Sequence, residues 1–431
     1  LTQPANNRIY NMSVDEARLK VNSGEPDAVR SIEGSFALVA REGKRVRMAR
    51  SIDRPLRHFI AKRQDGPTLV VADRISAIYE FLQKEGLDNQ FHPSYTRMVP
   101  AHYIQEILLI GCPDPAPKHV RFFNPERNAL PANLDNIGAH YIGVLADEIA
   151  RWLRTLDPNE PIGVPFSGGI DSGSIFLVTY HVLCKLGMNP SRLKAFTLSL
   201  GDGPDLGQAR KFLEQVGLSL FLEPVEVDPS SIDIREAIRV IEDYKPLDVQ
   251  SGAMALALCR TLRERYPKWK YLIDGDGGDE NLKDYPIEEN SELTIASVLN
   301  NLMLYQEGWG VDSIKHSLTY SGGQSRGYAR TYAPLRHYGF EGLSPYTLPS
   351  VIEVAEGIPF VALTGYDVKK LYSLKGEVVS RGVRAVTGME MPVFEKRRFQ
   401  HGAAGPETFA ARFPNAEKEY RSLYQEIYSG A

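Results

Sequence analysis

The spacing of apolar residues changes character near residue 137. Up to about Glu80 the chain reads as strands. Ile32-Glu-Gly-Ser-Phe-Ala-Leu-Val39 and Arg45-Val-Arg-Met-Ala49 mix two-residue alternation with short apolar runs, and Glu42-Gly43-Lys44 between them predicts a hairpin turn. Thr68-Leu-Val-Val-Ala72 predicts a further strand, followed by a helix through Ala77, Ile78 and Phe81. Five prolines (Pro113, Pro115, Pro117, Pro125, Pro131) punctuate the stretch from Gly111 to Asn133, which reads as an inter-domain connection with a strand at His119 to Phe123.

From there Ile137, Tyr141, Val144, Leu145, Ile149, Trp152 and Leu153 recur at helical spacing. Strands at Ile162 to Phe166, Leu193 to Leu200, Phe221 to Val227 and Tyr271 to Asp274 then alternate with helices. The helices fall at Gly173 to Leu183, Gly207 to Val216, Ile234 to Tyr244 and Ala253 to Tyr266. Repeated β-α-β units predict an α/β fold: a parallel twisted sheet with helices on both faces and ligands at the carboxyl ends of the strands. A smaller, mainly β domain precedes it. The expected division is 1–112, a linker at 113–135, and 136–431, with the part after Pro286 largely helical.

Bulk properties narrow the partners. A length of 431 residues accommodates two or three domains. The net charge of −4 lacks the basic field that a nucleic-acid partner calls for. No apolar run reaches the length of a membrane span, and no secretory signal pattern opens the chain. Cys112, Cys184 and Cys259 lack metal-ligand spacing and suit reduced thiols, so the expectation is a cytoplasmic protein, with a homo-oligomer left open.

The run Pro165-Phe-Ser-Gly-Gly-Ile-Asp-Ser-Gly-Ser174 sits between a predicted strand and a predicted helix. Glycines at such a turn let backbone N–H groups approach a phosphate, and the helix N-terminus adds a favourable dipole. Asp171 would repel a bare phosphate unless a cation bridges the two. The lysine of the common GxxxxGK[ST] loop is absent. A glycine-serine turn with a solvated aspartate is the plain alternative; the two flanking elements argue against it. A second cluster, Ile273-Asp-Gly-Asp-Gly-Gly-Asp-Glu280, crowds four carboxylates at the end of another strand. Read alone it is an acidic turn or an isolated cation site. If both loops emerge from one sheet edge, Asp171 and Asp279 would face a common Mg²⁺–pyrophosphate.

Ser167 to Ser172 resembles the SGGxDS loop of the ATP-pyrophosphatase superfamily. The chain as a whole resembles the synthetase half of the asparagine synthetase family, whose second loop reads SGEGSDE against Asp274-Gly-Asp-Gly-Gly-Asp-Glu280 here. Ser199-Leu-Gly201 and Pro204-Asp-Leu206 are similar to its adenine-contacting strand and the turn after it. Gly339-Phe-Glu-Gly-Leu-Ser-Pro-Tyr346 resembles its GVEARVPFLD block, and Phe394-Glu-Lys-Arg-Arg-Phe-Gln-His-Gly402 has the K-x-x-F-x-x-G spacing of its catalytic-lysine loop.

The resemblance implies an ATP- and Mg²⁺-dependent ligase that adenylates a carboxylate and joins it to ammonia or an amine. It implies that Ser167, Gly168, Gly169, Asp171 and Ser172 hold the pyrophosphate end of ATP. Leu200 and Gly275 would lie at the nucleotide, and Asp171 and Asp279 would bind Mg²⁺. Asp276, where asparagine synthetases have Glu and β-lactam-forming relatives have Tyr, becomes the candidate proton acceptor, with Glu341 as a second candidate. Lys396 becomes the cation that stabilises charge on the acyl-adenylate pathway. An intramolecular cyclase of the lasso-peptide or β-lactam type and a catalytically silent homologue are the rival readings. Asp274, in place of the family's Ser, adds a negative charge near a triphosphate and calls for an additional cation or a reoriented side chain. Ser321-Gly-Gly-Gln-Ser-Arg-Gly327 has no preceding strand and reads as a loop.

Glu33-Gly-Ser-Phe-Ala-Leu38 and Ala49-Arg-Ser-Ile-Asp-Arg-Pro-Leu56 resemble the end of the family's glutaminase domain. That domain begins with a nucleophilic cysteine, whereas no cysteine precedes Cys112 here. The expectation is a truncated glutaminase-like domain without glutaminase activity.

Overall fold

The computed structural model describes residues 7–111, 116–201, 203–285, 287–289, 293–300, 331–394, 402–414 and 416–429. Two compact units emerge, one around Leu1–Asn124 and the other around Pro125–Asn301 and Arg326–Arg421.

In the first unit β1 (Arg8–Ile9) pairs with β2 (Gly34–Ser35), and α1 (Val14–Ser23) and α2 (Pro26–Arg30) lie between them in sequence. A capping box starts α1: Ser13 accepts from the Glu16 N–H, and Glu16 accepts from the Ser13 N–H. β3 (Ala37–Glu42) and β4 (Arg45–Arg50) form the expected hairpin around Gly43-Lys44, with Glu42 opposite Arg45. Antiparallel pairing continues from β4 to β8 (Tyr103–Leu108) and on to β9 (Lys118–Arg121). A second sheet holds β5 (Arg57–Arg63) between β6 (Gly66–Ala72) and β7 (Arg97–Met98).

Alternation along β5 and β6 sets the layers. Phe59, Ala61, Val70 and Ala72 face Ile78 and Leu82 of α3 (Ile75–Lys84). Ile60, Leu69 and Val71 point the other way, onto Val46, Met48 and Ile107 of the first sheet. With α1 packed on β3 and β4, the order is helix, sheet, sheet, helix. Strands β5 and β8 do not show in the apolar pattern, because buried polar residues interrupt it: Arg57, His58 and Gln105 are all inside.

The second unit is built on a five-stranded parallel sheet ordered β12–β11–β10–β13–β14. Its strands are β10 (Ile162–Pro165), β11 (Leu193–Ser199), β12 (Leu222–Glu226), β13 (Tyr271–Ile273) and β14 (Glu341–Leu343). Following α4 (Leu134–Leu153), the chain steps outward from β10 through α5 (Ile170–Lys185) and α6 (Asp205–Gln215) to β12. It then returns through α7 (Ile234–Ile241) and α8 (Pro246–Arg265) to β13, on the other side of β10. Because parallel crossovers keep one hand, this reversal places helices on both faces. It also opens a crevice between the carboxyl ends of β10 and β13, where α/β sheets take their ligands.

One further packing contact positions the site. The Val368–Thr387 helix crosses α4 so closely that a Cβ on Gly138 would lie 2.5 Å from the Val378 carbonyl oxygen. A Cβ on Gly382 would lie 2.3 Å from that of Gly138. Any side chain at either position would push the helix, and Lys375 with it, away from α4. Among the described residues no helix is long and apolar enough to cross a membrane.

Candidate functional site

The β10 strand delivers Ser167 to Ser172 at its carboxyl end. Gly169 caps α5 and brings no side chain to the N–H groups of the first turn. Gly168, with φ of +72°, makes the turn into it. The Ser167 and Ser172 hydroxyls lie 3.2 Å apart, and Gln208 of α6 donates to the Ser167 carbonyl at 3.2 Å. Asp171 falls in the first turn of α5, half-buried.

The β13 strand delivers the second loop beside the first. Its glycines allow direct contact between the two: a Cβ on Gly275 would lie 2.8 Å from the Asp171 backbone, and one on Gly278 would lie 2.2 Å from Asp171 Oδ1. Asp279 belongs to the short helix α9 (Gly278–Asn281). Asp274 resolves its unexpected charge by turning inward. It is 3% exposed, one carboxylate oxygen accepting the Asp276 N–H at 3.0 Å and the other the Ser344 hydroxyl at 2.9 Å. Here the acidic side chain shapes the loop, a role that needs no additional cation. Asp276 lies within this second loop and is half-buried.

A residue outside the sequence reading completes the arrangement. Lys375, with a side chain 3% exposed, places Nζ 2.6 Å from Asp171 Oδ2, in contact with Asp279 Oδ1, and 3.6 Å from Asp284 Oδ2. Burial alone would lower the Lys375 pKa, but Asp171, Asp279 and Asp284 together hold it well above its ordinary value. Three carboxylates around one ammonium leave the site negative. The signal was present in the sequence: Lys375 falls on the apolar face of its helix, in line with Leu371, Val378 and Gly382.

Two carboxylates from different loops thus reach one cation. A pair of carboxylates is the protein donor set that Mg²⁺ takes beside phosphate oxygens and water.

The remaining candidates divide. Leu200 directly follows β11, the strand next to β10; its side chain is buried and its N–H donates to the Ala403 carbonyl at 2.9 Å. Glu341 stands at the amino end of β14, paired with Tyr271, at the opposite end of the strands from both loops, which removes it as a base. Lys396 and the Ser321 to Gly327 run lie outside the described residues.

A doubly wound parallel sheet with two glycine-rich acidic loops at its switch point defines a nucleotide-binding α/β domain. Residues 145–330 match the family model for asparagine synthase. This part of the chain is therefore an asparagine synthase domain, of the ATP-dependent amide ligases in general. The match takes in both acidic loops, while Tyr346, Lys375 and Lys396 lie beyond it. No curated protein matches the chain.

Proposed function

We propose that the protein is an ATP-dependent, AMP-forming amide ligase that activates a substrate carboxylate and joins it to ammonia or an amine. The observation that carries this reading is the convergence of Asp171 and Asp279, from loops after two adjacent parallel strands, on the single cation Lys375 Nζ. In the proposal Ser167, Gly168, Gly169 and Ser172 cradle the pyrophosphate end of ATP at the first turn of α5, where N–H groups and the helix dipole favour an anion. Leu200 and Gly275 flank the nucleoside. Asp171 and Asp279 hold Mg²⁺, which when bound neutralises charge on the phosphates. Lys375 supplies fixed positive charge where pyrophosphate departs.

A substrate carboxylate oxygen attacks the α-phosphorus, the α–β bridging bond breaks, and pyrophosphate leaves an acyl-adenylate. The amine then attacks the acyl carbon. Asp276 accepts its proton, Lys396 stabilises the tetrahedral oxyanion, and AMP leaves as the amide forms. The first cysteine of this sequence is Cys112, and the proposal assigns no glutamine-derived ammonia to the first unit. The amine enters the proposal as ammonia or a substrate amine.

Incubation with Mg-ATP and pooled amino-acid and peptide acids, with and without ammonium, tests the reading. Acid-dependent AMP and pyrophosphate support it. Loss of water from a single substrate, independent of ammonium, identifies an intramolecular cyclase. Formation of ADP in place of AMP, or no turnover together with no ATP binding, removes the reading.

A further inference from the structure

The elements that carry the two acidic loops meet on one buried residue, Tyr346. Tyr346 is fully buried, just after β14. Its hydroxyl lies 2.6 Å from the Ser174 hydroxyl, and Ser174 is equally buried. Ser174 spends its own proton on the Asp171 carbonyl oxygen, 2.8 Å away. The Tyr346 hydroxyl is therefore the donor to Ser174, giving a directed chain from Tyr346 through Ser174 to the backbone of Asp171. Burial first, and then the nearby Asp171 charge, raise the Tyr346 pKa, which keeps that proton in place.

The other side of Tyr346 holds the second loop. Its carbonyl accepts from Asn281 Nδ2 at 2.8 Å, and Asn281 is the last residue of α9, which carries Asp279. The same Asn281 amide donates to the Tyr141 hydroxyl at 3.1 Å, and the Tyr141 ring stacks on that of Tyr346, with centroids 5.7 Å apart and planes at 18°. Gly277, within the second loop, passes so close that a Cβ there would sit 3.3 Å from the Tyr346 Cβ. One side chain and its carbonyl thus touch the elements that bear Asp171 and Asp279.

We propose that Tyr346 is a positioning residue that fixes the separation of Asp171 and Asp279, and that its hydroxyl, relayed by Ser174, sets how tightly the pair takes a divalent cation with pyrophosphate. The inference rests on the Mg²⁺–pyrophosphate reading of the site. Its physical basis is that two like charges repel, and Lys375 offsets that repulsion only while its ammonium stays between them. Once a phosphate competes for Lys375, the backbone must hold the carboxylates where a small, geometrically demanding ion needs them. A phenylalanine would preserve the ring stack and the Asn281 bond to the carbonyl and lose only the relay. The packing role and the positioning role can therefore be separated by experiment.

The test is calorimetric binding of inorganic pyrophosphate to the full chain across a Mg²⁺ titration. Tyr346→Phe and Ser174→Ala should each raise the Mg²⁺ concentration at half-saturation about fivefold, the scale of one buried neutral hydrogen bond. The double variant should be no worse than either single one, because both cut the same relay. Thr364→Val removes another buried hydroxyl, one that donates to the Phe360 carbonyl at 2.8 Å within its own helix, and should leave the Mg²⁺ dependence unchanged. Wild-type Mg²⁺ dependence in Tyr346→Phe, with or without a lower melting temperature, overturns the inference and leaves Tyr346 a packing residue. Failure of the unaltered protein to bind pyrophosphate with Mg²⁺ removes the underlying reading, and the inference with it.

Discussion

The Lys375 ammonium lies 2.6 Å from the Asp171 carboxylate although 204 positions separate them in the chain. Asp279, from a third segment, meets the same ammonium. A buried cation in this position makes the ligand-free site tolerable and marks where a cation is wanted when phosphate arrives.

Removing that cation should expose the repulsion it offsets. Lys375→Met leaves Asp171, Asp279 and Asp284 facing one another, and should lower stability by about 3 kcal/mol in the absence of divalent cations. Millimolar Mg²⁺ should restore part of the loss. Urea unfolding with and without Mg²⁺ measures both effects, and unchanged stability in both conditions would contradict this account of Lys375.

The contact between the loops leaves no room for a methyl group. Gly278→Ala puts a Cβ 2.2 Å from Asp171 Oδ1 and must displace that carboxylate. Mg²⁺-dependent ATP binding should weaken by about tenfold or more, the scale of a disturbed metal-ligand shell, with the fold retained by circular dichroism. Gly143→Ala, in α4 with open space around it, serves as the comparison and should bind normally.

Asp274 and Ser344 should behave as a coupled structural pair. Asp274→Ala removes the acceptors for the Asp276 N–H and the Ser344 hydroxyl, at a cost of about 2 kcal/mol in unfolding free energy. Ser344→Ala should add little on top of it. Full additivity in a double-mutant cycle would show that the two side chains do not interact.

The first unit should be acid-sensitive through two buried histidines. Burial, followed by Arg97 and His119, pushes His58 down to about 4; burial, followed by Arg50, Arg121 and Arg30, pushes His102 to about 3. Both stay neutral in the folded chain while the unfolded chain protonates them below about pH 6.5, so stability falls as pH falls from that point. Each should contribute about 2 kcal/mol of loss by pH 5. Denaturant unfolding between pH 7 and pH 5 should show this slope, reduced in His58→Gln. An equal slope in that variant would assign the acid sensitivity elsewhere.

What could be read in the sequence was local. Ser167 to Ser172 and Asp274 to Glu280 announce themselves because glycines and acids crowd into a few adjacent positions after apolar strands. The alternation of β10 to β13 with helices likewise declares a parallel sheet. Lys375 was missed because its helix also carries Lys369 and Lys370, and only its place on the apolar face beside Leu371 and Val378 sets it apart from them. Strand β5 was missed because Arg57 and His58 are polar residues inside a core, which no periodicity of apolar positions reports. Asp274 was seen, but its inward turn depends on Ser344, which lies 70 positions further on.

The most direct measurement is calorimetric ATP binding, with and without Mg²⁺, by the unaltered protein and by Asp171→Asn, Asp279→Asn and the double variant. If the two loops form one Mg²⁺–pyrophosphate site, the unaltered protein binds ATP far more tightly with Mg²⁺. Each single variant should then lose that gain, and the double variant should lose little more. Absence of any Mg²⁺-dependent ATP binding in the unaltered protein, or independent and additive losses in the two variants, would contradict the account.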